Sequence, residues 1–214
     1  MYRLVNENIK PLLNSITPEK DITPYLWLLR ELQNGDITKN KKFQSTYKHY
    51  WKMSSARLSE AFLNRYFELL EHSKHEIKKA SVKSIALQLY STPTHNNRNS
   101  LQFSFSSKLV HMIAPPNPIY DSMIESFYFL PPPKNKETEE RKIERLVSSY
   151  NFLRMEYKRI SEQNLLGEAI THFQQHFKID NSYTENKIID TLIWKFVTLL
   201  KRGSVRNSTI IYTK

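Results

Sequence analysis

The chain has 214 residues, 39% of them hydrophobic, with 12 Tyr and 11 Phe, which is enough for one sizeable core and excludes a disordered chain. Cysteine is absent, so disulfides, thiol catalysis and thiolate-bound zinc are excluded. Only 3 Gly are present, with no GxGxxG, no Walker-type loop and no G-x-S-x-G, which removes the common nucleotide folds and the serine-hydrolase elbow; the net charge of +11 is spread along the chain rather than gathered in a tail.

Residues 4–14 place Leu4, Ile9, Leu12 and Leu13 at helical spacing. Pro24 suits a helix start, and PYLWLLREL runs on to Gly35 at a C′ position. NGDITKNKK reads as a loop. Phe43, Tyr47, Tyr50 and Trp51 then repeat along one helix face. Ser54 or Ser55 is expected to cap the next helix, whose stripe runs from Leu58 to Leu70. HEIKKASVKSIALQLY predicts another helix, and STPTHNNRNS breaks it. A helix over about 101–113 is stopped by APPNP, because proline lacks the donor and clashes with the preceding turn. A short helix from about Asp121 ends at PPP. The longest helical signal covers 134–162, another covers 165–177, and the last, capped by Thr184 or Asn181, runs to Gly203. SVRNSTIIYTK alternates weakly, as a short edge strand would. The expectation is an all-α, single multi-helix domain over 1–214, with eight or nine helices, a short C-terminal strand, and seams near 91–100 and 131–133.

The helix at 101–113 is apolar nearly all round except for one strip, Ser104, Ser107, Lys108 and His111. Residues three and four apart share a helix face, so a lysine sits beside a histidine above two hydroxyls. Such a strip can line a pocket. Asp121 follows PPNPIY and is placed to cap the helix after it; if the chain doubles back there, its carboxylate comes near Lys108. Lys108, Asp121 and His111 are the candidate catalytic residues.

FQSTYKHYWKM, LNRYFELLE and SFSSKLVHMIAPPNPIYDSMI resemble blocks shared by a family of helical bacterial proteins, over about residues 40–130. That resemblance implies a fold type and no particular activity. The lysine and aspartate are similar, more weakly, to those of the helix-hairpin-helix DNA glycosylases. There a helix lysine attacks the sugar C1′ of a flipped nucleotide and an aspartate assists, which would make Lys108 the nucleophile and Asp121 its helper. The family's glycine-rich hairpin before the lysine is missing here, and Lys108 to Asp121 spans 13 residues (121 − 108), several fewer than the family uses.

Glu168, His172 and His176 lie at i, i+4 and i+8. That spacing spreads them over roughly 12 Å of helix, too far for one ion, so a surface role is expected and no metal or other cofactor. His72 and His75 fall near a helix end, where cations are favoured. No carboxylate spacing matches a nuclease. In KKFQSTYKHYWKM, basic and aromatic residues interleave, with Lys41, Lys48 and Lys52 toward one face. A second basic face carries Lys195, Lys201, Arg202 and Arg206. These faces and the net charge predict a nucleic-acid-associated protein, with DNA or RNA held through electrostatic contacts to phosphate. A protein-interaction or structural role in a bacterial complex is the alternative, and a glycosylase/lyase-like enzyme using Lys108 and Asp121 is a further one. No apolar run approaches a membrane span, and the first residues lack the form of a signal peptide, so a cytoplasmic protein with no membrane partner is expected.

Overall fold

A computed structural model describes residues 1–76 and 80–205. Among them the fold is all-α with no strand. The elements are α1 Tyr2–Glu7, α2 Ile9–Ser15, α3 Pro18–Asp21, α4 Thr23–Gln33, α5 Lys41–Tyr50, α6 Glu60–His75, α7 Val82–Tyr90, α8 Phe103–Ile113, α9 Ser122–Tyr128, α10 Glu139–Glu162, α11 Gly167–Phe177 and α12 Glu185–Lys201, with 3₁₀ turns at Met53–Ala56 and His95–Asn97. The helices outnumber the eight or nine expected. Part of the reason is local: the stretch expected as one helix over 4–14 breaks at Asn8, whose ψ of 19° leaves the helical region. The C-terminal strand expectation falls on residues 206–214 and lies outside the described residues.

Side-chain caps set many of the helix starts. Asn40, Ser59, Ser81, Asp121, Thr138 and Thr184 each accept a hydrogen bond from a backbone N–H in the first turn that follows, satisfying donors that have no partner within the helix. Ser59, not Ser54 or Ser55, caps α6, because residues 53–56 are spent in the 3₁₀ turn. Gly203, at φ +67°, ends α12 as its position suggested.

Scarcity of glycine does not mean scarcity of left-handed turns. Lys52, Arg57, Asn96, Asn97, Phe129, Asn164 and Lys178 all take positive φ, which costs a residue with a Cβ about 1–2 kcal/mol. Asn96 and Asn97 belong to the residue type that tolerates this best; Lys52 does not.

One continuous hydrophobic cluster runs from Val5 to Val205. Helix α12 packs against α9, α11 and α2, and α8 packs against α7 and α6. Both are buried on nearly every side: α8 buries Phe103 and every residue from Phe105 to Ile113. Aromatic side chains fill the space around them. Tyr25 meets the edge of Tyr183 with ring centroids at 5.2 Å, and Phe43, Tyr47, Tyr66 and Phe67 pack together beside α8.

Buried hydroxyls in this cluster are chained. The Tyr66 hydroxyl donates to the Phe105 carbonyl at 2.9 Å, so it accepts from the Tyr47 hydroxyl at 2.8 Å. Tyr66→Phe strands the buried Tyr47 hydroxyl and is expected to cost about 1–3 kcal/mol. Adding Tyr47→Phe removes both polar partners and recovers most of that loss. A double-mutant cycle of urea unfolding measures the coupling; strictly additive losses would contradict the chain.

Candidate functional site

The polar strip on α8 folds the following segment back against its own helix. Ser107 Oγ accepts from the Tyr120 N–H at 3.0 Å. His111 Nδ1 donates to the Asn117 carbonyl at 2.7 Å, and the Tyr150 hydroxyl donates to the Pro118 carbonyl at 3.1 Å. These bonds return residues 114–120 along α8 and deliver Asp121 toward Lys108. Asp121 caps α9 through Oδ1 alone, accepting from Met123 N at 2.9 Å and Ile124 N at 3.1 Å.

Lys108 and Asp121 line the same cleft, of about 390 Å³. That volume sits near the lower end of the range for small-ligand sites, roughly 300–1,000 Å³. The end of α5 supplies Trp51 and Lys52, α3 supplies Lys20 and Asp21, and α12 supplies Lys187, Asp190, Trp194 and Lys195, followed by Arg202.

Lys108 is 8% exposed. Its Nζ donates to Ser104 Oγ at 3.1 Å and lies 5.1 Å from the Phe105 ring centroid and 5.8 Å from that of Trp51. An ammonium has three hydrogens to place, and this one has a single hydrogen-bond acceptor among the described residues. Burial pushes the Lys108 pKa below its usual value, the nearby Lys187 charge adds to that push, and Asp121 and Asp190 oppose it without reversing it. The net effect is that the neutral amine, with its lone pair free, is easier to reach than in an exposed lysine.

Lys187 and Asp190 form a buried ion pair at 3.2 Å. The Lys187 Nζ lies 5.1 Å from the Trp51 ring, 5.2 Å from Tyr25 and 5.7 Å from Tyr50, a cage whose negative ring faces hold a cation. Burial works most strongly against the Lys187 charge, yet Asp190, Tyr183 and Asp121 together outweigh it and hold the pKa above the usual lysine value. Burial raises Asp190 to about 6 despite Lys187. Asp190 Oδ1 and Trp51 Nε1 are buried with no hydrogen-bond partner among the described residues.

Comparison with protein-family models, curated proteins and solved structures finds no match. The chemistry of the cleft therefore rests on its own residues.

His111 does not line the cleft. It is buried, its Nδ1 bonded to Asn117 and its Nε2 accepting from the Tyr25 hydroxyl at 2.9 Å. Burial, with Lys187 nearby, lowers its pKa to about 3, so it is neutral at ordinary pH and adds no positive charge beside Lys108. Lys187 supplies that charge instead. Of the cations expected to meet nucleic acid, Lys52, Lys195 and Arg202 line the cleft. Lys195 is engaged by Asp21 Oδ2 at 2.7 Å and the Ser15 carbonyl at 3.1 Å. Lys41 is exposed, Lys48 is half-buried, and Lys201 is exposed and donates to Ser126 Oγ at 3.3 Å, all three away from the cleft. Arg206 lies outside the described residues. Glu168, His172 and His176 are exposed on α11.

Lys187 and Asp190 were not among the expected site residues. A signal was present: Lys187, Asp190, Thr191, Trp194, Lys195 and Thr198 form a polar stripe at helical spacing on an otherwise apolar helix.

These buried groups set opposing pH dependences. Folded His111 titrates near 3 and an unfolded histidine near 6.5. As pH falls below about 6.5 the unfolded chain binds the proton first, so stability drops by about 1.4 kcal/mol per pH unit. Folded Asp190 holds a proton below about 6 that the unfolded carboxyl releases until near 3.9, so its protonation offsets that drop over this window. Asp190→Asn is expected to lose stability more steeply than the parent chain between pH of about 6 and 4, by roughly 1.4 kcal/mol per unit. Urea midpoints across that range read this directly, and parallel profiles would refute it.

Proposed function

We propose that this protein associates with nucleic acid and draws one nucleotide unit into the cleft, where Lys108 attacks an aldehydic sugar carbon, such as C1′ of an abasic site. The observation that carries this reading is the state of Lys108: buried, with one hydrogen bond and no ion pair to a carboxylate among the described residues, and facing a cleft of ligand size. A lysine becomes a nucleophile when burial or a neighbouring cation releases its lone pair, and both influences act here. Its partner in the resemblance to helix-hairpin-helix glycosylases, Asp121, lines the same cleft.

The step balances with groups present. The neutral Lys108 nitrogen bonds to the aldehyde carbon and gives up its two protons in turn, the carbonyl oxygen takes two and leaves as water, and an imine remains. Asp190, with a pKa of about 6, can give and recover a proton near neutrality, as a general acid–base group does. Trp194, half-buried on the wall, offers a ring face to a base or sugar. The net charge of +11 draws a polyanion to the protein.

Incubation with an abasic oligonucleotide in the presence of borohydride should trap a covalent protein–DNA adduct on a denaturing gel. Lys108→Gln should lower adduct yield by about 100-fold or more, the order for losing a positioned catalytic group, with its far-ultraviolet circular dichroism unchanged. An adduct that persists in Lys108→Gln, or none with the parent chain on DNA or RNA, would remove the reading.

A further inference from the structure

Three cations from separate stretches of the chain stand around the cleft: Lys20 on α3, Lys52 two residues past α5, and Arg202 just past α12. All three are exposed. None forms an ion pair with a described carboxylate, whereas Lys195 is neutralised by Asp21. The cleft's carboxylates are buried or half-buried, so an approaching anion meets the cations first.

Lys52 is held in an unfavourable backbone conformation, φ 58° and ψ 29°. Its N–H donates to the His49 carbonyl at 3.2 Å, and its carbonyl accepts from Ser55 Oγ at 2.8 Å. Trp51, one residue earlier, is turned inward at 6% exposure. The left-handed turn thus lets the chain bury an aromatic wall and present the next side chain at the surface. Its backbone bonds make no use of the lysine side chain, and glycine would meet them with less strain. Strain kept at the edge of a site, where an easier residue exists, is a mark of function.

We infer that Lys20, Lys52 and Arg202 form a phosphate-binding rim that holds the phosphodiesters of an unpaired strand while one of its nucleotides enters the cleft. The inference rests on the reading of the cleft as a nucleic-acid site and names its substrate as a single strand. A cleft of about 390 Å³ takes one nucleotide unit and has no room for a duplex.

The test is anisotropy of a labelled, unmodified single-stranded oligonucleotide titrated at several salt concentrations. Lys52→Gly and Arg202→Gln should each weaken binding and reduce the slope of log K against log salt by about 0.7, the value for one lost phosphate contact on a single strand. Lys52→Gly should also raise the urea midpoint, so its weaker binding cannot come from poor folding. Lys41→Gln, outside the cleft, should leave the slope nearly unchanged. The rim is overturned if the parent chain binds no strand, if Lys52→Gly binds like the parent, if its midpoint falls, or if Lys41→Gln loses as much as Lys52→Gly. The probe carries no aldehyde and forms no adduct. Altered slopes without adduct trapping elsewhere would overturn the Lys108 chemistry alone, and trapping with unaltered slopes would overturn the rim alone.

Discussion

Two helices buried on nearly every side, α8 and α12, each carry a lysine that must be accommodated largely without water, and Trp51 meets both. Its ring lies 5.8 Å from Lys108 and 5.1 Å from Lys187. Removing an ammonium from water costs several kcal/mol unless charge and hydrogen bonds replace the lost hydration. Lys187 is given a carboxylate and three aromatic faces. Lys108 is given one hydroxyl and two faces. The first environment favours the charged form and the second disfavours it, so two lysines near the same ring are shifted in opposite directions. The cleft depends on that asymmetry.

A buried ion pair contributes little net stability, because desolvation cancels much of the attraction. The Lys187–Asp190 pair sits in a core otherwise built from aromatic and branched aliphatic side chains, where a well-packed apolar pair would do as well energetically. What apolar residues could not supply is a fixed positive charge next to Lys108 and a carboxyl that titrates near neutrality. Perturbed groups of this kind gather at functional sites more often than elsewhere.

Much of the fold was legible because helix formation is written locally. Apolar spacing and caps such as Thr184 and Asp121 are read within a few residues, and the structure places those caps where the spacing put them. Finer features were not legible, for physical reasons. Ser54 and Ser55 look like caps, yet the chain around them is taken up by a 3₁₀ turn between two left-handed residues, Lys52 and Arg57, which no local propensity announces. Lys108 and Asp121 stood out because they lie close in sequence, and a polar strip on α8 implied a return of the chain. Lys187 and Asp190 are about 80 residues further on; only tertiary packing brings α12 beside α8. The role of His111 was not legible because a histidine's charge is decided by what surrounds it. Asn117 and Tyr25 turn it into a neutral brace.

The first helix is sewn to the start of α11: Asn6 donates to the Leu165 carbonyl at 3.0 Å and accepts from the Ala169 N–H at 3.2 Å. The cleft likewise draws on α3, α8 and α12 together. During synthesis the segment bearing Lys108 leaves the ribosome long before α12 does, and at rates of roughly 5–20 residues per second the gap amounts to seconds. Throughout that interval the aromatic cage lacks Lys187, and Lys108 lacks the Lys187 charge that lies near it in the folded protein. The surroundings that lower the Lys108 pKa are therefore complete only when the last long helix closes the molecule.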